Sequence, residues 1–95
     1  MIVEASPRAE RQIRAARRWW LQNRDKAPEA FDEDILQARE LLQDFHYAGK
    51  PVRIRTGWAR RLTLERIRYY LYYRVETHRV YLLSLWHTSR RPPRL

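Results

Sequence analysis

The 95-residue sequence contains no cysteine and only two glycines, Gly49 and Gly57. A chain without cysteine forms neither disulfides nor thiolate metal sites, and two isolated glycines cannot build a loop that cradles phosphate. We therefore predict no metal site and no cofactor. Long apolar runs are also missing. The opening MIVEASPRAERQ lacks the apolar stretch of a signal peptide, and no segment approaches the roughly 20 apolar residues of a membrane span. The expected location is the cytoplasm, with no membrane contact.

Lysine is nearly absent as well, because Lys26 and Lys50 are the only lysines among 20 basic residues and the rest are arginine. The net charge of +9 is unevenly distributed along the chain. Residues 1–24 carry six basic and two acidic groups, residues 25–46 carry two and seven, and residues 47–95 carry twelve and two. This segregation points to an acidic partner, whether a nucleic acid, a ribosome or an acidic protein. Arginine suits such a partner because its guanidinium binds phosphate or carboxylate in a bidentate manner and stacks on aromatic rings.

The first half of the chain has helical periodicity. Ser6 followed by Pro7 is typical of a helix start, because the serine hydroxyl caps the helix and proline is tolerated in its first turn. Pro28 opens a second helix after the short connection NRDKA. Apolar residues recur at helical spacing in both segments, as Ala9, Ile13, Ala16 and Trp20 and then as Phe31, Ile35, Ala38, Leu42 and Phe45. The pattern predicts an antiparallel helical hairpin over about residues 7–46.

The second half of the chain changes to a period of two. The segment HYAGKPV interrupts the helical pattern, and a β-meander follows over about residues 58–87, ending in the apolar stretch RVYLLSLWH. Residues 88–95 form a basic tail. With a short strand at MIVEA, the sequence predicts one α+β domain spanning residues 1–95. Its N-terminal short strand and α-helical hairpin pack on an antiparallel β-sheet of three to four strands.

The stretch RIRYYLYYRV places four tyrosines and three arginines in ten residues, from Arg66 to Val75. The alternation changes phase at Glu65–Arg66, which predicts a tight turn between two antiparallel strands. One set of alternate residues is expected to face the helices: Ile67, Tyr69, Leu71, Tyr73 and Val75. The other set is expected to face outwards and, with Arg60, to form a surface for a target or a nucleic acid: Arg66, Arg68, Tyr70, Tyr72 and Arg74.

Several segments resemble the RelE/ParE superfamily of bacterial toxins from type II toxin–antitoxin systems. They are SPRAERQI leading into WWLQNRDKAPEAF, then RRLTLERIRYYLYYRV, then VYLLSLWHTSRRPP, and together they cover nearly the whole chain. The resemblance implies a RelE/ParE-like fold and a toxin that is neutralised by an acidic, partly disordered antitoxin segment in a hetero-oligomeric complex. It also implies one of two activities. ParE-like members block DNA gyrase, whereas RelE-like members cleave mRNA in the ribosomal A site.

The residues favour the ParE-like branch, whose members are not nucleases. RelE-like members typically use clustered basic residues with a C-terminal tyrosine, but no tyrosine follows Tyr81 here. The alternative is a metal-independent endoribonuclease that acts on the ribosome, with His87 as acid or base and with Arg61, Arg90 and Arg91 stabilising the charged phosphorane. A simple nucleic-acid-binding module is a third alternative, and its affinity would depend steeply on salt.

Two adjacent tryptophans occur near the end of the first predicted helix. The second follows the buried stripe, so Trp19 lies about 100° away around the helix and faces a groove or solvent. A half-exposed tryptophan beside Arg18 would anchor an apolar antitoxin segment. Arg53 and Arg55 complete the predicted antitoxin-binding set. Trp58 is expected to pack in the interior.

Overall fold

The computed structural model describes residues 1–95 and has the predicted α+β architecture. In chain order the elements are β1 (Ile2–Ala5), α1 (Pro7–Asn23), α2 (Ala30–Asp44), β2 (Lys50–Ile54), β3 (Gly57–Leu64), β4 (Tyr69–Val75) and β5 (Arg79–His87). Both helices pack on one side of a five-stranded sheet, which we call the helix side, and the other side is the open face. Neither helix has the length and apolar character that a bilayer span requires.

The helical hairpin forms because its ends are fixed by specific contacts. The Ser6 hydroxyl accepts a hydrogen bond from the Ala9 N–H at 3.0 Å, which caps the start of α1 as predicted. At the other end, the Trp20 indole N–H donates to the Ala27 carbonyl at 2.8 Å and holds the connection between the helices. The second helix ends at Asp44, slightly before the predicted limit.

The sheet is larger than the predicted antiparallel sheet of three to four strands, and it is mixed. Its strand order is β1-β5-β4-β3-β2, with β1 parallel to β5 and all other pairs antiparallel. The parallel pair joins the first and last strands, and the connection between them contains the helical hairpin and the three strands β2, β3 and β4. The predicted meander omits β2, an edge strand that contains Pro51. An edge strand tolerates proline because one of its sides needs no N–H donor.

The change of alternation phase marks a real turn. Residues 65–68 form it between β3 and β4, and the closing strand pair is Leu64 with Tyr69. Arg68 takes a positive φ of 65°, and its N–H donates to the Leu64 carbonyl at 2.8 Å. Beyond the turn, Leu71 and Tyr73 face the helices and are at most 1% exposed, as predicted for this side of β4.

A β-bulge in the middle of the sheet is supported by a helix side chain. The register between β4 and β5 shifts at Tyr72 and Tyr73, so β5 carries one extra residue there. Gln12 of α1 reaches this irregularity, and its side-chain oxygen accepts hydrogen bonds from the Ser84 hydroxyl and the Leu85 N–H, both at 3.0 Å. The bulge is therefore tied to the position of α1.

Candidate partner-binding surfaces

One end of the open face is an internally neutralised network, which we call the paired end. Arg79 donates to Glu76 at 2.7 Å and to Glu4 at 3.2 Å, and Arg74 also donates to Glu76 at 2.7 Å. The guanidinium of Arg79 stacks over the Tyr81 ring at 4.0 Å. These contacts lower the pKa of the Glu76 carboxyl, chiefly through hydrogen bonding to Arg79 and then to Arg74. Arg74 thus lies on the open face as predicted, but its charge is already matched.

Two arginines near the opposite end of the sheet have no carboxylate partner, namely Arg61 on the open face and Arg90 in the groove between α1 and the end of β5. Arg61 stacks over the ring of Tyr70 at 4.3 Å, and Arg90 stacks over the ring of Trp86 at 4.0 Å. Tyr70 and Trp86 are direct cross-strand neighbours. Neither arginine takes part in an ion pair, and the Nε of Arg61 is buried without a hydrogen-bond partner. Charge and aromatic surface therefore coincide here.

The C-terminal segment crosses part of the open face, so Tyr72 is not the exposed residue that was predicted. Its side chain is only 5% exposed because the tail around Pro92 and Pro93 packs beside it. The Arg55 N–H donates to the Leu95 carbonyl at 3.0 Å and fixes the end of this segment to β2. The alternation rule places Tyr72 on the correct side, but it contains no information about a tail that folds back.

Two residues of the predicted target-binding set, Arg60 and Arg66, lie on the helix side. Arg66 belongs to the β3–β4 turn, where strand alternation does not apply, and its guanidinium binds Asp34 and Glu33 of α2. Arg60 of β3 donates to the Gly49 carbonyl at 2.7 Å and braces the loop between α2 and β2. Arg68 lies in the same turn as Arg66 and is exposed. The prediction that Arg66 lines the open face is wrong, and Arg60 lies apart from the surface with which it was grouped.

His87 lies at the end of β5 on the helix side, where its ring packs edge-on against Tyr69 at 5.2 Å. Its Nδ1 accepts a hydrogen bond from the Ser89 N–H at 3.2 Å and also contacts the Ser89 hydroxyl at 2.7 Å. In the neutral ring the hydrogen is therefore on Nε2. Arg61 stacks on the other side of the sheet, so the structure does not bring His87 and Arg61 together. Arg90 lines the same groove as His87.

The predicted antitoxin-binding residues occupy two separate parts of the molecule. Trp19 is 44% exposed at the rim of a groove between α1 and the end of β5, and Arg18 is exposed beside it. Arg53 and Arg55 belong to β2 and its following turn, at the far edge of the sheet. They do not form one surface with Trp19.

A larger apolar surface, not predicted from the sequence, runs along the helix side from α2 to β3, and we call it the α2–β3 groove. Its walls include Leu41, Phe45, Tyr47 and Trp58, which are 40%, 65%, 61% and 64% exposed. Leu41 and Tyr47 each border two adjoining hollows, so the surface is continuous. Phe45 belongs to this groove because α2 ends just before it. The expected burial of Trp58 is wrong because the helices do not cover that part of the sheet. Trp58 and Arg60 are two residues apart in β3, so strand alternation places both side chains on the same side of the sheet. The sequence therefore contained a signal for the side on which Trp58 lies.

No cluster of histidine, aspartate and glutamate side chains that could hold a metal ion is present. The aromatic and charged surfaces are therefore the features that need a functional explanation. Exposed apolar side chains and unpaired cations are of the kind that bind partners.

Comparison with known proteins places the chain in a family. The sequence model of the family described as "ParE toxin of type II toxin-antitoxin system, parDE" matches residues 3–92. The fold is similar to that of a solved chain titled "Chromosomal ParDE TA system from P. aeruginosa", with a TM-score of 0.74 and 22% identity, covering 94% of this chain and 97% of that one. No curated protein matches the sequence closely enough to count as a relative. The match over residues 3–92 shows that the chain belongs to the ParE toxins of type II toxin–antitoxin systems.

Proposed function

We propose that this toxin inhibits DNA gyrase and is held inactive by a cognate antitoxin, one segment of which occupies the α2–β3 groove. Membership of the ParE family carries the proposal for the target. The exposed groove carries the proposal for the antitoxin site, because a continuous apolar surface of this kind on a small chain marks a site of association.

The groove has the features of a site for an apolar peptide segment. Phe45 and Trp58 are large, exposed and aromatic, and residues of this kind contribute most of the binding energy at interfaces. His46 lines the groove wall, and its buried Nδ1 has no hydrogen-bond partner. Arg53 stacks over the ring of Trp58 at 5.3 Å and makes no ion pair, which favours an acidic residue in the antitoxin at this end.

The antitoxin site is tested by measuring affinity for the product of the neighbouring open reading frame. Phe45→Ala and Trp58→Ala should each weaken binding by about 30-fold, because a central aromatic contact contributes roughly 2 kcal/mol. Leu36→Ala is the matched control, since Leu36 is 57% exposed on the same helix but does not line the groove. If the three substitutions had equal effects, the antitoxin would bind elsewhere on the protein. That result would leave the family assignment unchanged, because the assignment rests on the sequence match.

The target is tested in a supercoiling reaction with purified gyrase. The toxin should inhibit supercoiling, and adding the antitoxin in equal amount should restore it. Undiminished supercoiling at micromolar toxin would refute gyrase as the target. A non-enzymatic mode of action is supported by the separation of His87 from Arg61, which leaves the candidate cleavage residues on opposite sides of the sheet.

Ribosome-dependent mRNA cleavage is the second candidate, and one observation favours it. His87 and Arg90 line the same groove beside α1, so a proton-transferring group and a cation are close together. Translation reactions with a defined message, read by primer extension, would reveal cleavage. Cleavage that His87→Gln abolishes would establish this activity, whereas an uncut message would exclude it.

A further inference from the structure

One basic pair on the open face has no acid beside it. Arg61 of β3 and Lys50 of β2 are direct cross-strand partners, so their side chains share this face, and like charges in that position repel each other. Neither residue forms an ion pair. Arg61 differs from the other unpaired arginines because its Nε is buried without a hydrogen-bond partner, and no other arginine nitrogen is in that condition. A buried donor without an acceptor weakens the arrangement that buries it.

The C-terminal tail runs past Arg61 as an extended segment. Pro93 and Leu95 are half-buried whereas Arg94 between them is exposed, so alternate residues of the tail face the sheet, as they do in a strand. The Arg55 N–H donates to the Leu95 carbonyl at 3.0 Å, and this is the only backbone hydrogen bond that residues 92–95 form. The tail therefore shows how an extended chain lies on this surface, although few contacts hold it there.

The fit between the tail and the sheet is incomplete. A hollow of about 380 Å³ remains between the tail and β2. On the sheet side it is lined by two aliphatic side chains, a ring and a cation: Val52, Ile54, Tyr72 and Arg61. The tail also has the same sign of charge as the surface it covers, because Arg91 and Arg94 are basic and form no ion pair. Its backbone and apolar side chains suit this surface, and its charge does not.

We propose that this surface, which we call the tail site, binds an extended segment of a partner protein that carries acidic and apolar side chains, and that this segment displaces the tail. Apolar side chains of the segment take the positions of Pro93 and Leu95, and an acidic side chain pairs with Arg61, whose guanidinium binds carboxylate in a bidentate manner. The Arg55 N–H is then free to donate to a carbonyl of the segment.

The lining of the tail site favours a peptide over a nucleic acid. Val52 and Ile54 are aliphatic, and the ring of Tyr70 is already covered by Arg61 at 4.3 Å, so the site offers little surface on which successive bases could stack. The tail site does not rest on the proposed antitoxin site, because the α2–β3 groove lies on the other side of the sheet.

The test is fluorescence anisotropy of a labelled eight-residue peptide, titrated with the full chain at a fixed salt concentration. In the peptide, valine and glutamate occupy alternate positions and serine lies between them, so both kinds of side chain face the sheet together. Arg61→Gln should weaken binding about 10-fold, the loss expected for one hydrogen bond between charged groups. Lys50→Gln alters an exposed side chain at the start of β2, so it should fold normally and weaken binding about threefold.

The matched controls change the same charge elsewhere or remove the acid from the peptide. Arg8→Gln removes an exposed arginine of α1 that forms no ion pair, and it should leave the affinity unchanged. A peptide with glutamine in place of glutamate should bind weakly and be insensitive to Arg61→Gln. Equal losses in Arg61→Gln and Arg8→Gln would refute a defined site, and so would the absence of binding at millimolar peptide.

Displacement of the tail is tested by ¹⁵N relaxation of its amides. Adding the peptide should move Arg94 and Leu95 from the ordered to the mobile range, and a tail that stays ordered in the complex would overturn the proposal. A tail that is closed about nine-tenths of the time lowers the apparent affinity about 10-fold, so deleting residues 92–95 should strengthen binding by that factor. Tighter binding of oligothymidylate than of the acidic peptide would also overturn the proposal. Phe45→Ala should not change peptide binding, so this outcome is separate from that of the antitoxin test.

Discussion

Tyr73→Phe removes a single oxygen from the centre of the protein, and we expect it to be clearly destabilising. Tyr73 is 0% exposed, and its hydroxyl accepts a hydrogen bond from the Gly49 N–H at 2.8 Å. Burial raises the pKa of this hydroxyl above its ordinary value of 10.0, so it remains protonated at neutral pH. Gly49 is itself buried in the loop between α2 and β2, and water cannot replace the lost acceptor without opening that loop.

The magnitude follows from the group that is left unpaired. A buried N–H without an acceptor costs about 1–3 kcal/mol. In a domain of this size each kcal/mol lowers the melting temperature by about 4–8 °C, so a loss of about 1–3 kcal/mol should lower it by about 4–24 °C. Tyr70→Phe is the control on the same strand, because the Tyr70 hydroxyl makes no hydrogen bond within the protein. Its effect should stay within about 0.5 kcal/mol.

Urea unfolding followed by circular dichroism measures both variants. The dependence of unfolding free energy on urea should be the same in both, because each exposes the same surface on unfolding. Arg60 still donates to the Gly49 and Tyr47 carbonyls at 2.7 and 3.1 Å, so the loop should loosen without detaching. If Tyr73→Phe were no more destabilising than Tyr70→Phe, the hydrogen bond would not be what holds this loop and the reasoning would fail.

Three further substitutions test other parts of the fold. Ser6→Ala removes the cap of α1 and should cost about 1 kcal/mol in thermal unfolding; no change would mean that the cap is replaced by water. Gly57→Ala places a side chain at a φ of 126° and should cost about 1–3 kcal/mol, although nothing obstructs the added carbon; an unchanged urea midpoint would contradict this. Arg79 and Arg74 lower the pKa of Glu76 below its ordinary value of 4.5, so this carboxylate stabilises the fold above that pH and its contribution is lost as pH falls through the lower folded value. The difference in melting temperature between wild type and Glu76→Gln should therefore be constant above about pH 5.5 and shrink below about pH 4.5, and a difference that does not depend on pH would refute the assignment.

The parts of the fold that were predicted correctly have local causes. The start of α1 depends on Ser6 and Pro7, which are adjacent in sequence, and the turn at residues 65–68 depends on a phase change that is visible within a few residues. The strand β2 was missed because its signal is not local. It contains Pro51 and two basic residues, and it forms a strand only because β3 supplies its hydrogen-bond partners.

The candidate surfaces were predicted less well because exposure depends on distant segments. Tyr72 lies on the open face, but the tail that buries it comes from some twenty residues later in the sequence. Trp58 was expected in the interior because tryptophan is usually buried, and its 64% exposure results from the limited width of the helical layer. Arg66 was placed on the open face by extending strand alternation into a turn, where it does not hold.

The structure shows which of the segregated charges pair with each other and which do not. Part of the charge is satisfied internally, because the acidic second helix pairs with Arg17 through Asp32 at 2.9 Å and with Arg66 of the β3–β4 turn. An acidic partner therefore does not need to match every arginine in the chain. The basic groups that remain without a counter-charge include Arg61, which stacks on the ring of Tyr70, and Arg90, which stacks on the ring of Trp86. Net charge is a property of the whole chain, whereas the pattern of unpaired charge shows which basic groups are free to meet an anionic partner.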